Sequence, residues 1–293
     1  MLTASRSSAF FEETAFVINT ANKGSAMKIL VTGCNGFIGK NMISYLTQAT
    51  DWKIEGWSWD PDPTNWPKIV SYDWVIHLGA ETTSTDVELV LEKNFDFSQW
   101  LFTECQKHGV HLQYASSHEV YGQSSDLCES AQCAPMTPVA WSKYLFDRWA
   151  FKSAHTAYVQ GFRYFNVYGK WMHTKGHLFD SWRTEAKLTG KIVLTQHAEH
   201  IKRDWVWVGD ICRVHLDFIR AVNGSGIWNV GSGLIHSDYD IADEIAETEN
   251  AEVVVIETNL NVKHQHARPN LLHLKETIGK RKWLNVYEWI NTE

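Results

Sequence analysis

The sequence predicts an α/β fold: a doubly wound parallel sheet followed by a smaller C-terminal lobe. Three observations carry the prediction. Residues 28–39 read KILVTGCNGFIG, an apolar run that leads into three glycines and then an amphipathic segment. Strand-like and helix-like segments alternate through the first 165 residues. In the second half, polar irregular segments follow the strand ends, where such sheets bind ligands.

The first element is the strand that ends in Ile29, Leu30 and Val31. Gly33 then allows a sharp turn, Gly36 lets backbone approach phosphates, and Gly39 lets the next helix pack closely on the strand. Strand, glycine turn and helix together aim backbone N–H groups and a helix dipole at one place, a seat for a pyrophosphate. A dinucleotide-binding Rossmann arrangement is the expectation. Residues 37–49 form the first helix, with Ile38, Met42, Ile43 and Leu46 on one face. Residues 52–59 (WKIEGWSW) are the second strand, and DPDPTNWP at 60–67 is a loop. A buried strand follows at 72–80, a long helix at 87–108, a strand at 110–117, a helix at 138–154 and a strand at 159–166. This alternation implies parallel strands joined by right-handed crossovers. No repeat or low-complexity segment interrupts it.

Residues 170–176, 195–202 and 259–270 are polar and irregular, and they are expected to build a substrate-binding lobe. The division reads as an extension at 1–26, a dinucleotide domain at 27–165 with a return segment at about 205–235, and a substrate lobe at 166–204 and 236–293. The extension is rich in Ser, Thr and Ala and reads as a disordered tail or an upstream start, with Met27 as the natural first residue. Its short apolar stretch, broken by Glu12 and Glu13, has no signal-peptide architecture.

Composition narrows the class. The chain has 293 residues, 44% of them hydrophobic and 21% charged, enough for a large core. A net charge of −7 argues against a general nucleic-acid surface. No apolar run approaches the ~20 residues that span a bilayer. Five scattered cysteines suggest reduced thiols and a cytoplasmic location. Cys128 and Cys133 lack a second ligand pair, and His264 and His266 lack a third ligand, so no metal is expected. The fifteen tryptophans carry no functional reading beyond aromatic packing.

Dinucleotide sites often carry an acidic residue about 20 positions after the glycines, on the ribose hydroxyls. The candidates are Asp60, 21 residues after Gly39, and Ser58, 19 after. A carboxylate favours NAD; a small polar residue admits the extra phosphate of NADP. Only Lys53 and Lys68 are at hand to meet that phosphate, so the cofactor is read as NAD or NADP.

Further motifs follow in order: HLGAETTS at 77–84, Asn94, YASSHEVYG at 114–122, SKYLFD at 142–147, RYFNVYG at 163–169, KRDWVWVGD at 202–210 and WNVGSG at 228–233. As a set they resemble the extended short-chain dehydrogenase/reductases that modify nucleotide sugars, from about Met27 to the C-terminus. Within that family the chain is most similar to the ADP-glyceromanno-heptose 6-epimerases, through YFNVYG, Lys175 six residues after Gly169, and the KRDWVWVGD block.

The resemblance implies transient oxidation of a sugar carbon and return of the hydride. It assigns cofactor contacts to Gly33, Gly36, Phe37, Ile38, Gly39, Leu78, Gly79, Ala80, Asn94 and Lys143, with Asn94 and Tyr121 also shaping the site or bracing the helix. It implies a Tyr and a Lys four residues apart on one helix, facing the same way, and a Ser that orients the sugar. Ser117 and Lys143 are present, but the tyrosine position holds Val139, which exchanges no proton. Three groups are candidates to compensate, in the order Lys175, Glu119 and Tyr144. Lys175 matches an acid/base lysine of the heptose epimerases, and Glu119 matches a glutamate of related dehydratases and decarboxylases. Each has a plainer reading as a loop lysine, a strand-end partner and a packing residue. His118, where dehydratases carry an acid, also reads as a satisfied polar residue. Substrate diphosphate contacts fall to Asn166, Arg203 and Arg268, with Asp204 or Asp210 as rival partners for Arg203. The expected partner is a nucleotide-sugar substrate. A homo-oligomer through the helix at 141–151 is the other, with a core role for that helix equally open.

Overall fold

The predicted strands assemble into one parallel sheet. A computed structural model describes residues 26–153, 155–172, 177–221, 224–258 and 266–292. The strands are β1 (Lys28–Thr32), β2 (Lys53–Trp57), β3 (Trp74–His77), β4 (His111–Ser117), β5 (Val159–Tyr164), β6 (Asn166–Tyr168), β7 (Lys191–Thr195), β8 (Lys202–Trp207), β9 (Gly226–Val230), β10 (Ile235–Ser237), β11 (Glu252–Ile256) and β12 (His266–Ala267). The helices are α1 (Phe37–Ala49), α2 (Val87–Leu91), α3 (Phe97–His108), α4 (Pro138–Lys152), α5 (Leu178–Thr189), α6 (Val208–Ala221), α7 (Asp238–Thr248), α8 (Leu272–Ile278) and α9 (Val286–Ile290).

The main sheet runs β2-β1-β3-β4-β5-β9, all parallel. Successive strand side chains point to opposite faces, and both faces are covered. Leu30, Val75 and Leu112 meet Phe97, Leu101, Phe102 and Phe146 of α3 and α4. Ile29, Val31 and Ile76 meet Met42 and Leu46 of α1 and Cys212 and Leu216 of α6. Burial on both sides explains the unbroken apolar runs in these strands. The strand order reverses at β1, which puts a crevice outside the carboxyl ends of β1 and β3.

The expected helix at 87–108 is instead α2, a wide π turn at Glu92–Asp96 and α3. The wide turn lets the buried Asn94 bond both backbone groups of Glu81, at 2.7 and 2.8 Å. Side-chain periodicity has no signal for such an insertion. The strand expected at 159–166 breaks at Phe165, and β6 leaves to pair with β8.

A second sheet, β10-β8-β12 with β6 on β8, and the parallel pair β7–β11 complete the fold. Their core holds Tyr168, Phe179, Trp182, Trp205 and Trp289 under α5, α7 and α9. Trp57, Trp66 and Trp100 cluster around Phe97 at the other end, so much of the tryptophan content is packing. All five cysteines are free thiols. Among the described residues no helix is long and apolar enough to cross a membrane.

Candidate active site

A cleft of about 300 Å³ lies at the crevice, and Gly33, Gly36, Ser58, Leu78, Gly79 and Ala80 line it. Gly33 has φ +72°, and a Cβ there would lie 2.9 Å from the Leu78 carbonyl carbon, so the two loops touch backbone to backbone. The first helical bond of α1 runs from the Lys40 N–H to the Gly36 carbonyl. It leaves the amides of Phe37, Ile38 and Gly39 as the unpaired donors of a helix start. Phe37 and Ile38 themselves turn inward, Phe37 edge-on to His177 at 5.8 Å, so their share of the site is backbone N–H and not side chain. A glycine floor with free amides at a helix N-terminus fits a dinucleotide pyrophosphate.

Two sequence-based expectations change at the other end of the cleft. Asp60 does not line it: its carboxylate turns back to the Asp62 N–H at 2.8 Å and the Asn65 amide at 3.2 Å. Ser58 lines the cleft at the end of β2, between Trp57 and Trp59, which line it too. Asn94 does not reach the cleft either, because its amide is spent on Glu81 and on the Ser142 hydroxyl at 3.1 Å. It positions the Glu81 loop that lines the cleft.

Several lining residues were missed from the sequence. Lys93 lies 4.9 Å from the Trp59 ring centroid and 3.6 Å from the Glu81 carboxylate. His77 bridges the Thr32 hydroxyl at 2.6 Å and the Ser98 hydroxyl at 2.9 Å. Burial, aided by the Lys143 charge, pulls its pKa to about 3, so it is a neutral structural link. The apolar context of VIHLG hid it.

Ser117 ends β4, and Lys143 reaches the same strand from α4. Thr137 caps α4 by accepting from the Ala140 N–H, and Pro138 takes the first turn, where no amide is needed. The helix so started buries Lys143, whose Nζ donates to the Ala115 carbonyl at 2.8 Å. Burial lowers the ammonium to about 8, against the pull of Asp147. Behind it Asp147 is itself held by Arg163 at 3.0 Å, Tyr114 at 3.0 Å and Ser116 at 3.1 Å. Ser117 accepts from the Glu119 N–H at 3.1 Å and keeps its own proton for donation. Val139 is half-buried one turn before Lys143. Tyr144 packs against the cluster of Val120, Tyr121 and Phe165. Tyr121 is buried, its hydroxyl donating to Asn229 and accepting from Arg163. Glu119 is exposed. Lys175 lies outside the described residues.

The candidate diphosphate residues stand on the second sheet. Arg203 forms a two-pronged pair with Asp238 at 2.7 and 3.1 Å. Neither Asp204 nor Asp210 is its partner: Asp204 takes the Ser232 amide and hydroxyl, and Asp210 takes Arg213 and the Leu284 amide. Burial raises the Asp204 carboxyl to about 7. The Asn166 amide donates to the Asp204 carbonyl at 3.0 Å. Ala267 pairs with Arg203 in register, so the exposed Arg268 follows on the neighbouring strand.

Residues 29–231 match the model of the NAD dependent epimerase/dehydratase family. The chain belongs to that family. The ADP-L-glycero-D-manno-heptose-6-epimerase of Thiobacillus denitrificans is 32% identical over 260 residues, 73% of this chain and 75% of that one. The structure of the Helicobacter pylori ADP-L-glycero-D-manno-heptose-6-epimerase superposes with a TM-score of 0.79 at 20% identity, covering 92% of this chain and 97% of that one. The dTDP-glucose 4,6-dehydratase of Bacillus anthracis, in complex with NAD, superposes at 0.75 with 19% identity, covering 90% and 94%. As a member of the epimerase/dehydratase family, the chain is an NAD(P)-dependent enzyme with a Rossmann-type sheet.

Proposed function

We propose that this enzyme is a nucleotide-sugar epimerase of the ADP-glyceromanno-heptose 6-epimerase kind. The observation that carries the reading is the buried Lys143, bonded to Ala115 of the strand that ends in Ser117 and close enough to perturb His77 in the lining of the glycine-floored cleft. The Thiobacillus relative, with its 32% identity, supports the choice of sugar. The bound nicotinamide supplies a hydride acceptor and donor. Lys143 holds the cofactor ribose with a proton that its carbonyl partner already orients. Ser117 donates to the sugar oxygen at the reacting carbon. Asn166, Arg203 and Arg268 bind the diphosphate, Arg203 through the guanidinium N–H groups that Asp238 does not take. Lys175 carries protons at the sugar. The reading places a dinucleotide domain at 27–165, a substrate lobe at 166–204 and 236–293, and the enzyme in the cytoplasm. Trp141, Leu145 and Phe151 are exposed on α4, and a homo-oligomer through that helix belongs to the same reading.

The test is NMR of ADP-heptose, then other nucleotide sugars, with the purified chain and either cofactor. An inverted sugar carbon is the expected result. A 4-keto or decarboxylated product would instead favour the second reading, in which the exposed carboxylate of Glu119 is the base. Glu119→Gln separates the two: the epimerase keeps most of its activity, a dehydratase does not. Dinucleotide binding with no turnover would make the chain a non-catalytic homologue, as Val139 suggests.

A further inference from the structure

We propose that His118 is an acid/base of this reaction alongside Lys175, in the proton role for which α4 offers only Val139. The inference rests on the epimerase reading above. His118 follows Ser117 directly at the carboxyl end of β4, where sheets of this order bind their ligands. A carbonyl only accepts, so the 3.0 Å contact with the Tyr164 carbonyl makes Nδ1 the donor. That bond fixes the tautomer and leaves Nε2 as a bare acceptor. The ring stacks on Phe165 with centroids 4.9 Å apart and 21° between planes, which holds its direction. Among the described residues Nε2 has no hydrogen-bond partner, yet it is not sealed from solvent.

The surrounding charges suit the role. Burial and Arg203 of β8 keep the imidazole neutral, while Glu119 on its own turn and the Tyr164 carbonyl of β5 favour the proton. Two neighbours on α4 are held by contacts of their own. Lys143 donates to Ala115, and Tyr144 packs against the cluster of Val120, Tyr121 and Phe165.

In the oxidation step the sugar O–H gives its proton to Nε2 as the C–H hydride leaves for the bound nicotinamide, and a C=O forms. When the hydride returns to the opposite face, the imidazolium gives its proton back to the oxygen. The sugar loses and regains two electrons, and the cofactor is restored.

His118→Asn and His118→Gln test the assignment in the full chain. The Asn amide replaces the Nδ1 donor to Tyr164 and removes Nε2; Gln reaches toward the Nε2 position without titrating. Both variants should lose about 10² to 10⁴ in kcat, lose the acid limb of the kcat–pH profile, and keep wild-type dinucleotide affinity by tryptophan fluorescence. An Asn variant with wild-type kcat and an intact acid limb overturns the role of His118 and leaves the epimerase reading standing. A wild-type chain that turns over no nucleotide sugar overturns that reading itself. If neither variant folds, the wild-type profile decides: kcat falling as the imidazole protonates supports the role, and a flat acid side refutes it.

Discussion

His215 offers a stability prediction with a definite sign. It lies fully buried on α6, with Nδ1 bonded to the Gln113 side chain at 2.7 Å and Nε2 to the Tyr164 hydroxyl. Burial lowers its pKa to about 3. In the unfolded chain the imidazole titrates near 6.5. Below that pH the unfolded state binds a proton that the fold refuses, so stability falls with pH through the window from about 6.5 down to about 3. At pH 5 the loss from this one group is about 2 kcal/mol. His215→Gln keeps a polar side chain at the site and removes the titration. Urea unfolding at pH 7 and pH 5 should show wild type losing about 2 kcal/mol more than the variant between the two. His77, also held near 3, and Asp204, which titrates with the opposite sign, are present in both chains and cancel. Equal losses in the two chains would refute the argument.

Gly39→Ala should abolish dinucleotide binding in a fluorescence titration, because a Cβ would sit 2.8 Å from the Gly33 carbonyl carbon and 2.9 Å from the Cys34 Cα. Lys143→Met should weaken dinucleotide affinity and lower kcat together, since it removes the buried cation beside the cleft; unchanged affinity by calorimetry would count against its ribose role. Asp147→Ala should cost about 3–5 kcal/mol in chemical unfolding by stranding the buried Arg163, and adding Arg163→Met should recover much of that loss. Thr137→Ala should cost about 1 kcal/mol through the lost cap of α4.

The cofactor half was legible because its signals are local. A strand, three glycines and a helix within residues 28–49 specify a backbone shape, whatever packs around them. The same holds for α4, which the sequence starts at Pro138 and which carries Lys143 one turn after Val139. Asp60 misled for a physical reason: an Asp two residues before a backbone N–H readily bonds its own turn, and spacing along the chain cannot distinguish that from a ribose contact. Arg203 misled similarly. Its partner is 35 residues on, at the first turn of α7, not among the acids beside it in sequence.

The sequence by itself determined the parallel sheet, the glycine turn, the presence of Ser117 and Lys143 and the absence of a hydroxyl at Val139. These follow from residue type and from periodicities that act over a few residues. Only the tertiary structure decided that Asn94 braces the Glu81 loop, that Ser58 rather than Asp60 lines the cleft, and that Asp238 holds Arg203. It also decided that Tyr164 and Phe165 orient the His118 ring. Each of these is a hydrogen bond or ring contact between segments distant in the chain or folded back on themselves. Packing selects such partners by geometry, which composition and spacing do not encode.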